Sequence, residues 1–131
     1  MNEMTQSNAT TSTLLAHPDA TLSQKDLVDL HQRLLDKREE LLAQADLLEK
    51  EITRKEDCSL ADEVEASFYR AEANRAEVQL TQNHGLMNEI SRAFLRLESG
   101  QYGVSVETGD PIPLARLRLL PWTEYCTEDL E

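Results

Sequence analysis

Apolar residues return every seventh position through two long stretches of the chain, and that period dictates the fold class. In the first stretch Leu27, Leu34, Leu41 and Leu48 form one row, Leu30, Ala45 and Ile52 fill the alternate row, and acidic and basic residues occupy the other positions. A seven-residue apolar repeat lines its side chains along one helix face and predicts a coiled-coil seam. The stretch starts at Ser23, a good N-cap residue with Asp26 three positions on. In the second stretch, from about residue 60 to residue 99, Ala73, Leu80, Met87 and Phe94 share one row and Ala76, Ile90 and Leu97 lie between them. Gly100 supplies a natural C-terminal stop. Gly85 follows Asn83 and His84 inside this stretch, and Gly costs a helix about 1 kcal/mol relative to Ala, so a bend or local softness is predicted there. Two seams joined by the short polar segment 55–59 predict an antiparallel helical hairpin with its tip near residues 55–67.

The flanks follow a different logic. Residues 1–22 are rich in Thr, Ser, Asn and Ala with little apolar periodicity, which predicts a mobile N-terminal tail within which Leu14 and Leu15 can dock locally. After Gly100, Val104 and Val106 alternate toward a turn at Thr108, Gly109, Asp110 and Pro111, and residues 115–120 are long enough for only two helical turns. Residues 100–131 therefore read as a small globular knob whose apolar stock is Val104, Val106, Ile112, Leu114, Leu117, Leu120 and Trp122. The expected fold is mainly α: a tail at 1–22, a long antiparallel coiled-coil hairpin at 23–99 and the knob.

Composition narrows the function classes. The formal charge is −12 over 131 residues, which argues against binding nucleic acid through its phosphates and favours a protein partner with a basic groove. No basic leader precedes an apolar run, and no stretch approaches the roughly 20 apolar residues of a membrane span, so a cytoplasmic protein without membrane contact is expected. Cys58 and Cys126 fall at opposite ends of the predicted hairpin, and bridged cysteines need Cα atoms within about 7 Å, so two free thiols are expected. Acidic neighbours of Cys58 disfavour its thiolate and hence a redox role. His17, His31 and His84 show no ligand spacing.

The chemistry-bearing positions fall into two groups. Glu56, Asp57, Asp62, Glu63 and Glu65 cluster at the predicted turn, where acids at the start of a helix also complement its dipole. Near the C-terminus, Ser105-x-x-Thr108 and Cys126-x-x-Asp129 keep the two short pair spacings and the intervening loop of a four-ligand zinc ribbon. Only one of the four positions is a cysteine, and Ser and Thr hydroxyls are not ordinary zinc ligands, so neither metal nor cofactor is expected.

The wider frame is Tyr102-Gly103-x-Ser105-x-x-Thr108-Gly109, then Pro111-Ile112-Pro113-x-Ala115-Arg116-Leu117, Pro121, Thr123, Cys126 and Asp129. It resembles the ribbon of the DksA/TraR family of bacterial transcription factors, in a degenerate, zinc-free form. Counting back without a gap from Ser105, the family's acidic tip motif Asp-x-x-Asp-x-Ala falls on Asp62, Glu65 and Ser67, so that the resemblance spans residues 23–129. Glu65 sets its carboxylate one methylene further out than the family's Asp, and Ser67 adds a hydroxyl where the family has Ala.

The resemblance implies a non-enzymatic, monomeric regulator that binds RNA polymerase, inserts its hairpin tip into the secondary channel and alters initiation without touching DNA. It implies that Asp62, Glu65 and Ser67 contact elements around the polymerase active site. Members that act in the stringent response meet guanosine tetraphosphate with basic side chains. The corresponding positions here are Gln82, Glu89, Leu120 and Leu130, which are poor phosphate ligands, so independence of the nucleotide is expected. Arg116 keeps the family's ribbon arginine, with a structural hydrogen bond as its simplest role. Two other readings stay open: a transcript-cleavage factor of the Gre type, whose acidic tip holds magnesium, and a coiled-coil adaptor that dimerises through its leucine seam.

Overall fold

The computed structural model describes residues 14–56 and 62–126. Within them lie three helices: α1 (Gln24–Glu56), α2 (Glu63–Ser99) and the short α3 (Leu114–Leu119). The two long helices pack against each other as a hairpin, the mainly α architecture that the heptad rows predict. Segment 57–61, which holds Asp57 and Cys58, lies outside the described residues, as do residues 1–13 and 127–131. Among the described residues no helix is long and apolar enough to cross a membrane.

The outer ends of the two long helices have chemical causes. At the start of α1 the Ser23 hydroxyl accepts the Asp26 N–H and the Asp26 carboxylate accepts the Ser23 N–H, both at 3.1 Å, a reciprocal capping box. At the end of α2, Gly100 takes φ +78° and the Gln101 N–H reaches back to the Arg96 carbonyl at 2.9 Å, which closes the last turn.

The chain divides into two compact units, Lys37–Asn88 and a second one made of Met1–Asp36 with Glu89–Glu131. In Lys37–Asn88 the seam is thin. It buries Leu41 and Ala45 from α1 and Ala73, Ala76 and Asn83 from α2, while Leu48, Ile52, Leu80 and Met87 are half-buried. The row that reaches the interior of α2 is thus Ala76, Asn83, Ile90 and Leu97. Asn83 donates its side-chain N–H to the Leu41 carbonyl at 2.9 Å, while its Oδ1 is buried with no partner among the described residues. A polar residue in a seam fixes helix register, because a slipped pairing would lose the bond that Asn83 makes to the other helix.

Helix α2 runs unbroken through Gly85, and a Cβ built there meets nothing within 4 Å. Gly85→Ala is expected to stabilise the chain by about 1 kcal/mol, read as a higher melting temperature at unchanged helicity.

The other unit holds the larger core. Leu30, Leu34, Ile90 and Leu97 are fully buried from the long helices, joined by Tyr102 and Leu117. Each apolar side chain buried to this degree contributes on the order of 1.5–3 kcal/mol. His31 packs edge-on to Phe94 with ring centroids 5.5 Å apart, which gives this histidine a packing contact. The unit includes residues upstream of Ser23. Leu14 is buried, the Leu15 N–H donates to the Leu97 carbonyl at 2.7 Å, and the His17 N–H donates to Tyr102 at 2.8 Å beside an Ala16–Tyr102 bridge. Gly103, at φ +99°, lets this strap approach: a Cβ there would stand 2.7 Å from the Ala20 Cβ.

Of the apolar residues expected to hold the C-terminal segment, Val104, Ile112 and Leu117 are buried, Leu114, Leu120 and Trp122 are half-buried, and Val106 is 54% exposed. Val104 faces inward beside Pro111 in an antiparallel bridge, and alternation along the chain turns Val106 outward.

Candidate functional site

Asp62 is the N-cap of α2. Its Oδ1 accepts the Glu65 N–H at 2.8 Å and its carbonyl accepts the Ala66 N–H at 2.8 Å. Glu63 and Glu65 occupy the first turn, where the unsatisfied amides favour negative charge. Ser67 follows with its hydroxyl accepting from the Arg70 guanidinium at 3.1 Å. Asp62, Glu65 and Ser67 are all exposed. Three carboxylates, with Glu63 among them, and a hydroxyl therefore meet solvent over residues 62–67, and the capping bond orients one of the carboxylates. Glu56 and Asp57 cannot be placed beside them, because the Glu56 side chain and Asp57 lie outside the described residues.

Ser105 and Thr108 hold a turn through their hydroxyls. Ser105 is buried, and its hydroxyl accepts the N–H groups of Glu107 at 3.2 Å and Thr108 at 3.4 Å, while its own N–H donates to the Asp110 carbonyl at 2.8 Å. The Thr108 hydroxyl accepts the Asp110 N–H at 3.3 Å. The Cys126 sulfur lies 3.6 Å from the carbonyl oxygens of both Asp110 and Pro111. Asp129 lies outside the described residues. These hydroxyls are occupied by backbone amides, and one thiol beside them is a donor set that does not fit zinc.

Sequence reasoning missed the contacts that hold this segment in its unit. Glu124 bridges two arginines of α2, with its Oε2 2.8 Å from Arg96 and 3.2 Å from Arg92, and Arg96 also reaches the Trp122 carbonyl at 3.4 Å. Burial lowers the Arg96 pKa, and the Glu124 carboxylate works in the opposite direction to keep the cation. The Tyr102 hydroxyl donates to the Pro121 carbonyl at 2.7 Å, and burial pushes its pKa above the ordinary tyrosine value. Arg116 donates its Nε to the Tyr125 carbonyl at 2.9 Å, a structural hydrogen bond. An Arg paired with Glu across 28 positions has no periodic signature, so no sequence pattern could have announced it.

The positions aligned with a nucleotide pocket are dispersed in character. Gln82 is exposed and lines an open groove of about 560 Å³ in Lys37–Asn88, whose only lining cation, Lys37, pairs with Glu40 at 3.0 Å. Glu89 and Leu120 are half-buried, and Leu130 lies outside the described residues. Among the described residues no cluster of three His, Cys, Asp or Glu side chains could hold a metal ion.

No family model matches the chain. It is 32% identical over 114 residues to proteins from two Caulobacter vibrioides strains named RNA polymerase-binding transcription factor DksA, an alignment covering 84% of this chain and 77% of theirs. It is also 40% identical over 45 residues to an uncharacterized Aquifex aeolicus protein, covering 34% of this chain and only 31% of that one. Among solved structures, transcription factor DksA2 from Pseudomonas aeruginosa superposes with a TM-score of 0.68 at 31% identity, covering 77% of each chain.

Proposed function

Because the chain belongs to the DksA family, we propose that it is a non-enzymatic transcription regulator that binds RNA polymerase, inserts its hairpin tip into the secondary channel and modulates initiation there. The observation that carries this reading is the pair of exposed carboxylates, Asp62 and Glu65, on the first turn of α2. They are presented at the end of a helix, where a narrow channel admits little else. The net charge of −12 favours a protein surface over DNA as the partner and opposes self-association, which supports a monomer. Zinc is dispensable in this reading because the Ser105 and Thr108 hydroxyls accept backbone amides and apolar residues pack around them.

A photo-crosslinking side chain at Glu63 tests the insertion. It should label the polymerase subunits that line the channel, and labelling confined to the outer surface would end this reading. Guanosine tetraphosphate should leave the transcriptional effect within about twofold, because Gln82, Glu89 and Leu120 supply no cation for its phosphates. A response that requires the nucleotide in vitro would overturn that part.

A further inference from the structure

Helix α2 carries an apolar stripe that the hairpin does not use. Val64 is 81% exposed, Phe68 56% and Val78 58%, and Ala71 is exposed between them. At about 100° per residue, positions 64, 68, 71, 75 and 78 fall within an arc of roughly 80° on one helix face. The buried residues Ala73 and Ala76 belong to the other side of the helix, with Ala73 opposite Val64. The stripe therefore points away from the seam along its length. Its residue types are also poor choices for a solvent-facing helix, since Val and Phe form helices less readily than Gln, Lys or Glu. Phe68 meets the Tyr69 ring edge-on with centroids 5.7 Å apart, but neither core packing nor local helix stability accounts for Val64 and Val78.

Charge argues against a second copy of this chain as the occupant. Glu65 and Glu72 border one edge of the stripe, Ser67 and Asn74 the other, and the cation within it, Arg75, is tied to Glu72 at 3.0 Å. Between residues 62 and 79 the acids Asp62, Glu63, Glu65, Glu72 and Glu77 outweigh Arg70 and Arg75. A second copy docked on the same face would set these acids against each other. Area points the same way. Three such side chains cover roughly 300 Å², well short of the about 800 Å² per partner of a stable interface, so the stripe is one strip of a larger contact.

We propose that Val64, Phe68 and Val78 form a docking rail for RNA polymerase, seated against an apolar surface framed by basic side chains. The inference rests on the proposed function and adds to it where binding energy is made: beside the tip carboxylates, on the outward face of α2.

The test uses the full-length chain carrying Val64→Gln, Phe68→Gln and Val78→Gln together, with Phe68→Leu as a second variant. The triple variant should keep the parent's helicity and melting temperature and bind polymerase about 10- to 100-fold more weakly. Phe68→Leu should keep parental affinity. If the parent binds and the triple variant binds equally well, the rail is overturned while the proposed function stands. A parent that does not bind polymerase overturns both. A concentration-dependent dimer of the parent that the triple variant dissolves, with polymerase affinity unchanged, would make the stripe a self-association surface and overturn the rail.

Discussion

Asp62→Asn is expected to abolish regulation in vitro while leaving helicity, melting temperature and polymerase affinity close to those of the parent. The separation follows from the two roles of the side chain. As N-cap, Asp62 accepts the Glu65 N–H through Oδ1, and the Asn carbonyl oxygen can accept the same bond. Only the charge is lost, at about 0.3–1 kcal/mol of favourable interaction with the helix N-terminus. Asp62→Ala removes both, and loss of the cap adds about 1 kcal/mol of destabilisation. The two variants together therefore distinguish a carboxylate that acts on the polymerase from one that only starts a helix. Glu65→Asp, which shortens the reach of the second carboxylate by a methylene, and Ser67→Ala, which removes the hydroxyl, are expected to preserve or strengthen regulation. In vitro transcription from a promoter responsive to the family, with competition binding beside it, reads all four. Regulation by Asp62→Asn at the parental level would reduce the acidic tip to a helix cap.

The sequence made the hairpin legible because heptad spacing is a local signal that a few leucines and one capping box can carry. Ser23 and Asp26 form the reciprocal cap, and Leu27, Leu30, Leu34, Leu41 and Ala45 are buried. In α2 the same logic preferred Leu80 and Met87 for their hydrophobicity, yet Asn83 takes the interior position and they are left half-buried. Apolar periodicity cannot see a polar seam residue whose compensation is a backbone carbonyl on the other helix. The strap of residues 14–22 escaped for a related reason. Its composition suggests a tail, but its backbone amides pair with Leu97 and Tyr102, which become neighbours only after folding. The ribbon frame, read in sequence, holds one thiol at its four ligand positions. It could not show that the Ser105 hydroxyl accepts the turn's amides or that Glu124 joins Arg92 and Arg96.

Leu117→Ala is expected to destabilise the protein by about 2–5 kcal/mol, whereas a strong chelator should leave its thermal melt unchanged. Leu117 is fully buried and packs in the unit that also buries Tyr102, Val104 and Ile112, so truncating it leaves a cavity that the backbone bonds around it resist closing. Trp122→Ala should cost less, because Trp122 is only half-buried. In a zinc-dependent ribbon the order would be reversed. A structural zinc supplies about 10 kcal/mol or more of folding free energy in zinc-finger peptides, so chelation would cost more than any single apolar truncation. Here Ser105 and Thr108 hold backbone amides with their hydroxyls, and Cys126 offers the only thiol among the described positions. Differential scanning calorimetry with and without chelator, run on the parent and on Leu117→Ala, compares the two supports in one experiment. A chelator that lowers the parent's melting temperature by more than Leu117→Ala does would mean that metal, rather than apolar burial and the Glu124 bridge, holds the C-terminal segment.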